Sequence, residues 1–170
     1  MPLKNEGNRH VLFQTFRSVE QLHYPKSLVT LIPIVEAEDQ VTLEKLSEVV
    51  AAFKNRLQVE PFVYPTTDVP LKCKATSVTT AGRWLADRVE RGEFPGGLGG
   101  VKVLIIDADT ILHAQDLGFR EMTHREEDAK AAQRGLRGVV LQSLTTYTAN
   151  YWKVPMLPRL HNTGFVLYQM

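Results

Sequence analysis

Two hydrophobic periods alternate along the chain, one of strands and one of helices. Residues 27–38, SLVTLIPIVEAE, are a β-branched apolar run that predicts a buried strand. Leu43, Leu46, Val50, Phe53 and Leu57 then recur at spacings of three and four, one apolar face of a helix, with Asp39 and Thr42 as N-cap candidates. Residues 59–68, VEPFVYPTTD, predict a short strand closed by a turn. LKCKA (71–75) reads as a further strand. Thr79 or Thr80 then caps a helix in which Ala81, Trp84, Leu85 and Val89 share a face, and Arg83, Asp87 and Arg91 line the wet side. FPGGLGG (94–100) predicts a breaker loop and VKVLII (101–106) the strand after it.

Thr123 and Glu126 have capping-box spacing. A helix start there puts Glu126, Glu127 and Asp128 in the first turn and Lys130, Arg134 and Arg137 later, as the helix dipole prefers. GVVLQSLTTYTANYW (138–152) favours strand over helix, and TGFVLYQM (163–170) reads as a terminal strand. Strands alternating with helices, two of them apolar runs, predict an α/β domain with a covered, mostly parallel, three-layer sheet. The alternative is a ferredoxin-like α+β layout of residues 28–112.

Composition narrows the classes. A chain of 170 residues suffices for one domain, which at this size buries roughly two thirds of its unfolded surface. Twenty Lys+Arg against nineteen Asp+Glu give a net charge of +1, so no electrostatic argument favours a nucleic-acid partner. The single cysteine, Cys73, excludes an internal disulfide framework and a cysteine-rich zinc site, and is expected as a small buried strand residue. The start lacks an apolar h-region, and no apolar run reaches the ~20 residues of a membrane helix, so the expected setting is soluble, reducing and cytoplasmic.

The sharpest chemical feature is VKVLIIDADTIL (101–112). In open α/β sheets ligands gather at the carboxyl ends of strands, where Asp107 and Asp109 would lie. Two carboxylates one residue apart can face one Mg²⁺ or Mn²⁺ ion, which takes oxygen ligands and bridges to substrate phosphates. The structural alternative is a strand end in which Asp109 or Thr110 caps a turn.

VLIIDADTILHAQDL resembles the Asp-x-Asp segment of GT-A-fold glycosyltransferases, family 2 in particular, where an apolar strand ends in Asp-Ala-Asp-Thr. LVTLIPIVEAEDQVTLEKLSEVVAAF is similar to that family's first strand and helix, VEPFVYPTTD to its second strand, and TTAGRWLADRV to the helix before the metal strand. The resemblance spans about residues 27–170. It implies a GT-A/Rossmann-like domain covering 1–170, with an N-terminal extension (1–26), a nucleotide-binding-like core (27–112) and a C-terminal helix and strands (113–170). It further implies a nucleotide-sugar partner, with Asp107 and Asp109 at Mg²⁺ or Mn²⁺ and Pro33, Ile34, Val35, Glu36, Asp68 and Asp107 around the nucleotide. The chain departs from the family in Trp84-Leu85-Ala86, and it stops before the acceptor half. A catalytic base would then come from Glu126, Glu127, Asp128 or a partner chain.

Other chemistries fit less well. A haloacid-dehalogenase phosphatase needs Asp-x-Asp-x-Thr, and Thr110 comes one residue early. His161-Asn-Thr163 is similar to one His-x-Thr arm of a two-histidine phosphoesterase, with no second arm at the other histidines. The competing class is a non-catalytic, self-associating assembly protein. TGFVLYQM predicts that this segment lies in a sheet, its edge either buried within one chain or paired between chains, and its Tyr-x-Met end looks like that of phage tail-terminator ring subunits.

Overall fold

The computed structural model describes residues 1–66, 73–94 and 97–135. The predicted strands 138–152 and 163–170, together with Asp68 and His161, lie outside them. Two compact units divide the chain, Met1–Arg120 and Glu121–Met170.

In the first unit the chain opens with a helix, α1 (Arg9–Glu20), capped by the Asn8 side chain accepting from the His10 amide at 3.0 Å. Leu12, Phe16, Val19 and Leu22 follow one another at spacings of three and four, and all are buried. Met1 and Leu3 are buried as well. Residues 1–26 thus contribute Met1, Leu3, Leu12, Phe16, Val19 and Leu22 to the core.

The predicted strand 27–38 is present but broken. A 3-10 turn (Lys26–Leu28) leads into β1 (Thr30–Leu31) and β2 (Ile34–Glu36), which Pro33 separates because it has no amide to donate. The crossover helix α2 (Gln40–Phe53) returns the chain to β3 (Gln58–Val59) and β4 (Phe62–Tyr64). β1 pairs with β3 and β2 with β4, both in parallel, with Val35 opposite Val63. Glu60 donates to the Leu31 carbonyl at 3.0 Å and Phe62 to that of Pro33 at 2.8 Å, so register is kept across the break. Residues 1–3 add a minimal parallel edge on β2: the Ile34 amide donates to Met1 and the Leu3 amide to Ile34, both at 2.8 Å.

Alternate β2 side chains feed two cores. Val35 joins Leu12, Phe16 and Val19 of α1 and Leu46, Val49 and Phe53 of α2. Ile34 joins Tyr64 and Ala81, with Phe62 packed alongside. Ala81 belongs to α3 (Lys74–Glu90), whose Trp84 lies 4.8 Å from the Phe62 ring. The fold is thus mixed α/β with short parallel pairings. Among the described residues the strands are two or three residues long and pair two by two. Every strand pairing among the described residues is parallel, so these residues do not form the ferredoxin-like layout either.

Four local expectations are corrected. α3 begins at Lys74, more than a turn before Thr79, with Cys73 half-buried at its N-cap rather than inside a strand. The Thr76 hydroxyl, 3.4 Å from Sγ, and the amides of Thr76 and Ala75 hold the Cys73 thiol below its ordinary value. Gly97–Gly100 of the expected breaker loop form a short helical turn, α4. Residues 101–106 form no strand. The last helix, α5 (Asp116–Gln133), starts with Asp116 in its first turn, so Thr123 lies in the helix interior and not at its N-cap. Pairs such as Arg120 with Asp116 at 2.6 Å and Lys130 with Glu127 at 2.6 Å run along the helix, and no breaker interrupts it at residue 123.

Asp39 is the cap that the sequence places correctly. Its carboxylate accepts from the Thr42 amide at 3.1 Å, the Thr42 hydroxyl at 2.7 Å and the Asn5 amide at 2.7 Å, while Thr42 Oγ1 accepts from the Glu6 amide at 2.8 Å. One side chain thus starts α2 and ties down the N-terminal arm, where Asn5 is left-handed with φ of 51°. Partial burial pushes the Asp39 carboxyl up, but the hydrogen bonds outweigh this and hold it below its ordinary value. A depressed carboxyl contributes stability above its unfolded-state value and loses it as pH falls through the folded one. Asp39→Ala is expected to cost about 1–2 kcal/mol in urea unfolding at pH 7. The difference from wild type should shrink below pH 4; a difference unchanged at pH 3 counts against this role.

Candidate functional site

Asp107 to Thr110 form a turn closed in both directions. The Thr110 amide donates to the Asp107 carbonyl at 3.1 Å, and the Asp107 amide donates to the Thr110 hydroxyl at 2.9 Å. Ala108 faces inward against the main core, while Asp107 and Asp109 are exposed. The Lys74 ammonium, at the first residue of α3, forms an ion pair with Asp107. Both side chains are more than half exposed, so this pair is screened and contributes little to stability. Asp109 has no side-chain partner among the described residues.

The turn hangs from α1. The Thr15 hydroxyl donates to the Ala108 carbonyl, the Leu112 amide donates to Ser18 Oγ at 3.1 Å, and Ser18 Oγ donates to the Thr15 carbonyl at 2.8 Å. Just beyond α1, the His23 amide donates to the Ala114 carbonyl at 2.6 Å. Thr15 and Ser18 are buried, and both hydroxyls are satisfied, Thr15 by the Ala108 carbonyl and Ser18 by the Thr15 carbonyl and the Leu112 amide. The sequence reading missed both residues. Their signal was two hydroxyls within the apolar spacing Leu12, Phe16, Val19, where solvent-facing polar residues do not belong.

Other predicted site residues sit elsewhere. Pro33, Ile34 and Val35 are buried, with Ile34 and Val35 in the parallel pairing of β2 with β4 and Pro33 just before it. Glu36 is buried to 9% exposure beside Lys4, at 3.4 Å. Glu126, Glu127 and Asp128 lie in the interior of α5, within the second unit, whereas Asp107 and Asp109 belong to the first. Glu127 pairs with Lys130, and Asp128 lies 2.7 Å from the buried Nδ1 of His124. Expectations of a first-turn acidic cluster are corrected accordingly.

A divalent ion at the turn would have two carboxylates, one already facing an ammonium. No group of three or more His, Cys, Asp or Glu gathers among the described residues. That donor set fits a resident ion poorly unless a substrate phosphate supplies further oxygens.

The segment leading into the turn has a different character. Leu104 and Ile106 pack into the main core, whereas Val103 and Ile105 are 66% and 54% exposed. This alternation is that of an extended chain. Val103 to Ile106 make no backbone hydrogen bond among the described residues. Ile111, past the turn, is 65% exposed. No described helix is long and apolar enough to cross a membrane. Comparison with family profiles, curated proteins and solved structures finds no match to this chain.

Proposed function

We propose that this chain is a non-catalytic subunit that associates with copies of itself. The observation that carries this reading is the outward pair Val103 and Ile105, exposed on a segment whose inward pair is seated in the core. Anchoring at Leu104 and Ile106, and the ties from Thr15 and Ser18 just beyond, present that apolar edge in one conformation. A fixed apolar edge of this kind pairs with another chain. A net charge of +1 adds almost no repulsion between copies. Light scattering across a dilution series tests it: the mass should exceed the 19.2 kDa of one chain and fall on dilution. A constant 19.2 kDa at every concentration sinks the reading.

A second reading retains one observation in its favour, the exposed Asp109 next to Asp107, without a side-chain partner among the described residues. In it, the turn binds a nucleotide sugar through Mg²⁺ or Mn²⁺ held between these carboxylates and the diphosphate, in the manner of GT-A glycosyltransferases. A thermal-shift panel of UDP- and GDP-sugars with Mn²⁺, Mg²⁺ or EDTA decides it. Ligand at about 100 times its Kd adds ~2.7 kcal/mol, a shift of several degrees. This reading requires that shift to vanish in the double variant Asp107→Asn, Asp109→Asn and in EDTA. A flat panel with wild-type protein removes it.

A further inference from the structure

We infer that two copies exchange their N-terminal arms, residues 1–6 of each lying along β2 of the other; this rests on the self-association proposed above. The hydrogen bonds and the ion pair that dock the arm fall on residues 32–42. The Met1 amine donates to the Ile32 carbonyl at 2.9 Å, the Ile34 amide to Met1 and the Leu3 amide to Ile34, both at 2.8 Å. Lys4 pairs with Glu36 at 3.4 Å. The Asn5 amide donates to the Asp39 carboxylate at 2.7 Å and the Glu6 amide to the Thr42 hydroxyl at 2.8 Å. Met1 and Leu3 fill places in the main core. The arm is thus a docked peptide with a groove of its own.

Its link to α1 is slight. The Gly7 amide donates back to the Asn5 carbonyl at 3.0 Å, a tight three-residue turn, and the Asn8 amide donates to the Glu6 carboxylate at 3.3 Å. Residues 1–6 make no hydrogen bond with α1 among the described residues. Gly7 and Asn8 are exposed, so water replaces both turn bonds when the turn opens. Gly7, without a Cβ, is the residue that absorbs the change of direction. Exchange therefore gives up two exposed turn bonds and regains every docking contact on the neighbour, the condition under which swapping costs little.

A second copy fits the groove because its arm carries the chemistry already seated there. Two apolar side chains enter the core, and an ammonium reaches Glu36, which is only 9% exposed and would otherwise lose its cation. With the contacts alike in both forms, local concentration sets the balance. A short tether presents the arm to its own groove at about millimolar effective concentration, and association of two copies raises the neighbour's groove toward that range.

Disulfide mapping in a full-length Cys73→Ser background tests the exchange. Positions 4 and 36 face each other, two residues on from the Pro2–Ile34 pairing. Lys4→Cys and Glu36→Cys proteins are unfolded together in urea, refolded at high concentration and oxidised. A closed copy holds one of the two cysteines and cannot crosslink itself. A mixed disulfide should link about half of the dimers, the statistical share of mixed pairs. Homodimeric disulfides as the main product, or oligomers by light scattering without a mixed disulfide, overturn the exchange and leave self-association standing. A constant wild-type mass of 19.2 kDa at every concentration overturns both. The double variant Lys4→Cys, Glu36→Cys checks the geometry: it should close an intrachain disulfide when dilute and link copies when refolded concentrated. An intrachain disulfide alone at every concentration also overturns the exchange.

Discussion

Phe53→Ala is expected to cost about 3–5 kcal/mol, the penalty of deleting a fully buried aromatic ring and leaving part of its volume empty. Phe53 ends α2 and is completely buried. Its ring meets Phe13 at 5.0 Å and Phe16 at 5.6 Å, and the Arg56 guanidinium covers it at 4.4 Å. One truncation therefore loosens α1, α2 and the chain just beyond α2 together. Domains of this kind have roughly 5–15 kcal/mol in all, so the variant should unfold at a much lower urea concentration. Leu28→Ala, at a side chain 70% exposed, is the control and should stay within about 0.5 kcal/mol of wild type. Similar midpoints for the two variants would show that α1 and α2 do not share one core.

Thr15→Val tests how the acidic turn is held. The substitution keeps shape and volume but removes the donor to the Ala108 carbonyl, leaving a half-buried acceptor without its partner. The expected cost is about 1–3 kcal/mol, with Thr15→Ser recovering most of it because the hydroxyl returns. Amide exchange locates the effect: residues 108–114 should exchange faster in Thr15→Val while the α2 amides of residues 46–53 remain protected. Ser18→Ala should free the Leu112 amide in the same way. Equal stability of Thr15→Val and wild type would mean that packing by Ala108 and Leu112 fixes the turn without the hydroxyls.

These two experiments bear on function through one region. The self-association reading requires the edge at residues 103–106 to be rigid, and the Thr15 and Ser18 contacts lie immediately after it. Loosening the turn should therefore weaken self-association as well as stability. Changing Asp107 and Asp109 to Asn should leave the oligomer intact, because their carboxylates point to solvent and one screened ion pair is lost.

Several elements were legible in the sequence because their causes are local. Asp39 followed by Thr42 caps a helix whatever surrounds it, and the Leu46 and Phe53 spacing gives α2 its buried face. The β-branched runs at 30–36 and 58–64 are the parallel strands, and Pro33 breaks the first of them for the covalent reason that it has no amide. The exposed face of Arg83, Asp87 and Arg91 likewise follows from helical period alone.

Tertiary structure decided the rest. VKVLII has the composition of a strand, but a strand is a property of two segments, and no described neighbour pairs with Val103 to Ile106. The Thr123 and Glu126 spacing is a valid start signal, overridden because the ion-paired helix is already under way from Asp116. Asp-Ala-Asp-Thr reads equally well as metal ligands or as a turn, since both need small polar residues at a chain reversal. What sets its geometry is contact over more than ninety positions of sequence, Thr15 on Ala108 and Ser18 on Leu112, which no local pattern encodes.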